Sequence, residues 1–116
     1  MDTATSSNSQ FVYEVVSGEI LLSSRGEFFK LHDSVLLPIM KEIGIKPLLL
    51  LITEIGRYGR FIDIYCYESY NKYFELTDKL LSHPGIESFY NQIGKFVNGT
   101  INVELMKELP YLKKWI

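Results

Sequence analysis

The sequence predicts an α+β domain in which helices cover one face of a four-stranded antiparallel sheet. Three observations point there. Segments of strand character alternate along the chain with segments whose apolar residues recur at helical spacing. A glycine turn at Gly56 to Gly59 lies between two strand-like segments and so joins an antiparallel pair. After that turn, Phe61, Asp63, Tyr65 and Tyr67 fall on one face of a strand, and Ile62, Ile64 and Cys66 fall on the other.

Each element has its own signal. Phe11 to Ser17 is rich in β-branched and aromatic residues and reads as a first strand, with a loop from Gly18 to Ser23. Ser24 with Glu27 three residues later has the pattern of a capping box. Phe28, Leu31, Val35, Ile39 and Ile43 then recur at helical spacing, and Gly44 supplies the stop. Pro38 lies inside this helix and is expected to bend or open it over Leu36 to Pro38. Ile45 to Ile55 is apolar on both parities, the pattern of a strand buried on both faces. Arg60 to Glu68 completes the hairpin. Ser69 is placed to cap a helix whose face carries Tyr70, Tyr73, Phe74, Thr77, Leu80 and Leu81. Pro84 fits the start of a shorter helix through Ile86, Phe89, Tyr90, Ile93 and Val97. Thr100 to Lys107 alternates as a last strand. The order β, α, β, β, α, α, β is the split βαβ, ferredoxin-like arrangement, with its second helix broken in two.

Composition bounds the function. At 116 residues, 47% hydrophobic and 22% charged, the chain makes one ordinary globular domain. A net charge of −2 offers no basic stripe to a phosphate backbone, which argues against nucleic acid as a partner. The longest apolar run, Leu48 to Ile52, is far short of the roughly 20 residues of a membrane helix. Residues 1 to 10 are small and polar and read as a flexible tail, residues 11 to 109 as the domain, and residues 110 to 116 as a tail that packs on a partner. Neither a secretory signal nor a transit peptide is visible, and the single Cys66 forms no internal disulfide, so the cytoplasm is the expected compartment. Cys66 reads as a small apolar residue on a buried strand face.

The sheet's uncovered face is expected to collect Glu14, Val16, Phe61, Asp63, Tyr65, Tyr67, Asn102, Glu104 and Met106. So much aromatic and apolar surface would be hazardous if left in water. A second copy of the chain, sheet to sheet, would cover it and give a closed homodimer.

Taken together, these residues resemble the NIPSNAP family, a branch of the dimeric α/β-barrel superfamily. The resemblance runs from Tyr13 to Pro110. It is carried by Tyr13-Glu14, Glu27-Phe28, Leu37-Pro38, Gly44, Thr53-Glu54-Ile55-Gly56, Tyr67-Glu68-Ser69 and His83-Pro84 in that order. Family members often have arginine where this chain has Val16, glycine near Ser23, and His and Trp where it has Asp63 and Tyr65, so chemistry that depends on those residues is not carried over. The wider superfamily places binding modules, monooxygenases and heme enzymes on one scaffold.

Motifs with fixed chemistry are absent. The glycines of Gly56 to Gly59 are too close together for a dinucleotide loop, and no GxSxG, HExxH or P-loop pattern occurs. His32 and His83 have no spacing to Cys66 or to a carboxylate that would make a metal site, and no cofactor is implied. What remains is the lumen set. Asp63 and Glu14, carboxylates among aromatics, are the candidate general acid or base. Tyr65, Tyr67, Phe61, Glu104 and His32 are the candidate ligand contacts. The carboxylates could instead pair with cations such as Arg60 across the dimer interface. Two functional classes follow: a homodimer holding a small apolar or aromatic molecule, with or without cofactor-independent monooxygenase or cyclase chemistry, and a non-catalytic scaffold with a filled lumen. Whether the protein is an enzyme stays open at this level.

Overall fold

The computed structural model describes residues 11–116; the tail expected at residues 1–10 lies outside them. Four strands, β1 (Val12–Glu19), β2 (Lys46–Ile52), β3 (Arg60–Tyr67) and β4 (Asn102–Met106), form one antiparallel sheet in the order β2-β3-β1-β4. Helices α1 (Arg25–Leu31) and α2 (Leu37–Ile43) follow β1, and α3 (Tyr70–Ser82) and α4 (Ile86–Ile93) follow β3. This is the expected ferredoxin-like arrangement. Among the described residues no helix is long and apolar enough to cross a membrane.

The strand pairing decides which residues share a face. Val12 lies opposite Tyr67, Glu14 opposite Tyr65, Val16 opposite Asp63 and Gly18 opposite Phe61, and directly opposed residues point to the same side. Phe61, Tyr65 and Tyr67 are buried in one core with Phe28, Leu36, Ile39 and Met40 of the first helical arm and with Leu76, Leu80, Ile86 and Phe89 of α3 and α4. The structure therefore reverses the expected faces. Glu14, Val16, Phe61, Asp63, Tyr65 and Tyr67 lie beneath the helices, not on the open side. The open side carries Tyr13, Val15, Ser17, Ile62, Ile64 and Cys66, joined as expected by Asn102, Glu104 and Met106. The reason is area: each large aromatic buries about 150–250 Å², so the aromatic parity gains most from the helices. Cys66 is only half-buried there, and burial still pushes its thiol pKa up.

β2 departs from expectation too. It is an edge strand, and Leu48, Leu49, Leu50 and Leu51 are 54%, 50%, 41% and 48% exposed within the single chain. A bulge between Pro47 and Leu49 shifts its register on β3.

The first helical arm accommodates Pro38 without breaking. Between α1 and α2, His32–Leu36 widens into a π-helical stretch, and the Leu37 amide reaches back five residues to the His32 carbonyl. Proline has no amide to give and its ring crowds the carbonyl four residues back, so a widened turn just before it relieves both problems. The departure from regular helix falls one turn earlier than expected. The expected capping box does not form: Ser24 ends a 3₁₀ turn at φ −108°, ψ 10°, outside the extended geometry of an N-cap, and its side chain makes no cap hydrogen bond. Gly44 ends α2 at φ 106°, and the Ser69 hydroxyl accepts from the Lys72 amide at 3.1 Å, both as expected.

Candidate functional site

The π-helical stretch begins at His32, whose side chain reaches the sheet. His32 Nε2 stands 2.6 Å from Asp63 Oδ2, and the Tyr65 hydroxyl donates to the same oxygen at 3.0 Å. His32 and Asp63 are only 8% and 6% exposed. A carboxylate can only accept, so Nε2 carries the hydrogen; in the neutral ring Nδ1 then holds the lone pair. Phe28, one turn before His32 on α1, packs its ring 5.6 Å from the imidazole and 5.0 Å from Phe61.

Next to this pair lies a cavity of about 280 Å³ between the first helical arm and the β2–β3 hairpin. His32 and Asp63 form its polar part. Phe28, Phe29, Leu37, Leu50, Ile52 and Phe61 supply apolar walls, with Asp33 as a second carboxylate. A small volume, mostly apolar, with a few converging polar groups has the character of a small-molecule site.

Farther along the same face, the Tyr67 hydroxyl donates to Glu14 Oε1 at 3.0 Å and the Tyr73 hydroxyl, from α3, to Oε2 at 3.3 Å. Burial raises the Glu14 pKa, and the two tyrosine hydrogen bonds partly offset it. Burial, and then the charge of Asp63, lifts the Tyr65 hydroxyl well above the ordinary phenol range; burial and Glu14 do the same to Tyr67. Both phenols remain donors.

The structure thus brings His32, Asp63 and Phe61 to the cavity, with Tyr65 buried behind them on Asp63, and sets Glu14 with Tyr67 in a neighbouring cluster. Glu104 is excluded, because it is exposed on the opposite face. Arg60 stands on the opposite face of β3 from Asp63, whose carboxylate accepts from His32 and Tyr65 beneath the helices. Phe28, Phe29, Asp33, Leu37, Leu50 and Ile52 were not signalled as site residues; the spacing of Phe28 and His32, four apart on one helix face, was the available clue. His83 is structural, its Nδ1 accepting from the Gly85 amide at 3.0 Å. Among the described residues no group of three or more His, Cys, Asp or Glu gathers to hold a metal.

Fold and site define a ferredoxin-like α+β protein with a buried imidazole–carboxylate pair between helix and sheet. No family model and no curated protein matches the sequence. Solved structures do match. A NIPSNAP family protein from Agrobacterium tumefaciens aligns over 88% of this chain and 89% of its own at a TM-score of 0.79 and 17% identity. A NIPSNAP-like domain protein from Burkholderia xenovorans aligns over 89% of each chain at 0.77 and 12%. A proposed antibiotic biosynthesis monooxygenase from Nitrosomonas europaea aligns over 87% of this chain and 92% of its own at 0.68 and 9%. The resemblance read from the sequence is thus matched in three dimensions, and at these identities what is shared is the fold.

Proposed function

We propose that the chain is a NIPSNAP-type protein of the cytoplasm that holds a small apolar or aromatic molecule against the His32–Asp63 pair. One observation carries this reading: a buried, doubly hydrogen-bonded carboxylate orients an imidazole at the edge of an apolar cavity of about 280 Å³. With Nε2 committed to Asp63, Nδ1 is the atom available to accept a proton from a bound phenol or enol. That arrangement suits general-base chemistry without a cofactor. The monooxygenase description of one structural neighbour is compatible with it.

The test is a nuclear magnetic resonance screen of small phenols and aromatic acids that follows the His32 ring and the Leu50 and Ile52 methyls. Saturable shifts confined to those groups support the reading. If every compound leaves them unmoved, the cavity is not a binding site and the scaffold reading takes its place.

We further propose that two copies pair through their open sheet faces. Leu49, Leu51, Ile62, Ile64, Val15 and Met106 make that face apolar, and an exposed apolar surface of this kind ordinarily finds a partner. Trp115 and Ile116, 74% and 91% exposed within one chain, support the expectation that the C-terminal tail packs on the second copy.

A further inference from the structure

A second cavity, of about 250 Å³, lies away from His32 and is mostly polar. Ser17, Gly18, Glu19, Arg57, Arg60, Asn98, Thr100 and Asn102 line it, at the end of the open face where β1 finishes and β3 and β4 begin. Its one carboxylate is already neutralised. Arg57 grips Glu19 with two hydrogen bonds, Nε to Oε2 at 2.6 Å and Nη2 to Oε1 at 3.3 Å. Arg60 has no acidic partner among the described residues. The cavity therefore carries a net positive charge, with all five Arg60 donors and the Arg57 Nη1 hydrogens uncommitted to the described residues. Ser17 and Thr100 add hydroxyls, and Asn98 and Asn102 add amides.

The backbone around the cavity is pinned. The Asn98 amide donates to the Glu19 carbonyl at 2.8 Å and the Ile20 amide to the Gly59 carbonyl at 2.8 Å. At Gly59, φ is +95° and a Cβ would stand 2.7 Å from the Ile20 carbonyl oxygen, so only glycine allows the hairpin to approach β1 this closely. The pinned backbone fixes where Arg60, Asn98 and Glu19 leave the chain, and Glu19 holds the Arg57 guanidinium in turn, so part of the site is in place before any ligand arrives.

We propose that this cavity binds a small hydroxylated oxyanion. Arg60 takes the anionic group through its planar donor fork, and the asparagines, Ser17 and Thr100 take the neighbouring hydroxyls. Carboxylate and phosphate share this chemistry, and the probes separate them.

The full chain is titrated with inorganic phosphate and, separately, with glycerate, while the Arg60 Nε–H and the Asn98 and Asn102 side-chain amides are followed by nuclear magnetic resonance. Sedimentation runs in parallel. Saturable shifts of those groups are expected, with Arg60→Gln weakening binding roughly tenfold or more through loss of a charge-assisted hydrogen bond. Asn102→Asp, which places a negative charge in the cavity, should weaken it as well. A preference for phosphate or for glycerate identifies the anionic group. Absence of saturable shifts with both probes overturns the proposal, as does binding that Arg60→Gln leaves unchanged. It is also overturned if Arg60→Gln instead weakens self-association, since Arg60 would then serve a carboxylate of a second copy. None of these readouts depends on the His32 cavity.

Discussion

At Asp63 a single carboxylate oxygen accepts from both His32 and Tyr65, and the two replacements that test it differ in what they leave unsatisfied. Asp63→Asn keeps an acceptor oxygen but exchanges charge-assisted bonds for neutral ones, a loss of about 1 kcal/mol. Asp63→Ala strands two buried donors and should lower stability by about 2–5 kcal/mol. Thermal melts are expected to rank wild type above Asp63→Asn above Asp63→Ala; equal melting temperatures would show that the triad contributes nothing to the fold. Glu14 gives a pH test. Its folded-state pKa is raised, so folding favours the protonated carboxyl, and that contribution is fully present below the unfolded value near 4.5 and lost as pH rises through the folded one. Glu14→Gln mimics the protonated form. Its melting temperature relative to wild type should therefore improve as pH rises from 4 toward 8. A flat or opposite trend contradicts the burial argument.

Among the elements, the first helical arm links sequence to site most directly. The π-helical stretch starts at His32 and ends two residues before Pro38, where the missing amide and the ring favour a widened turn. Pro38→Ala lets the arm close into regular α-helix, which gains up to about 3 kcal/mol of helix stability but removes the widened turn that aims the imidazole. The expected outcome is an equal or higher melting temperature together with altered His32 ring resonances; unchanged resonances would show that proline does not set the site. The hairpin, Gly44 and Ser69 were legible because each depends on a short local pattern. The His32–Asp63 pairing was not, since it joins residues 31 apart across an arm whose phase shifts within one turn. Alternation on β3 likewise divided its residues correctly into two faces without telling which one the helices cover, because both are largely apolar. Ser24 shows the limit of a motif: its spacing to Glu27 is right, but the preceding 3₁₀ turn withholds the backbone geometry that a cap needs.

For the whole molecule, the apolar edge strand and open sheet face predict association. A sheet-to-sheet dimer should bury at least roughly 1,600 Å² in total. Leu49→Lys combined with Met106→Lys places two charges on that face at positions already about half exposed, so the chain should fold and sediment as a monomer while wild type sediments as a dimer. Wild type sedimenting only at 13.5 kDa would contradict this. Deleting residues 111–116 should weaken association without unfolding the domain. The apolar run of β2 was visible in the sequence and read as full burial; in one chain it is an exposed edge, and a second copy would restore the cover that the pattern implies.

The central claim, that the cavity beside His32 and Asp63 holds a small molecule, is tested most directly by native mass spectrometry of the protein purified from its own cells beside the Asp63→Asn variant prepared in the same way. Wild type is predicted to carry a discrete apolar or aromatic adduct, one per chain, which the folded variant loses. Two identical spectra, each showing bare polypeptide or each showing the same adduct, would contradict it.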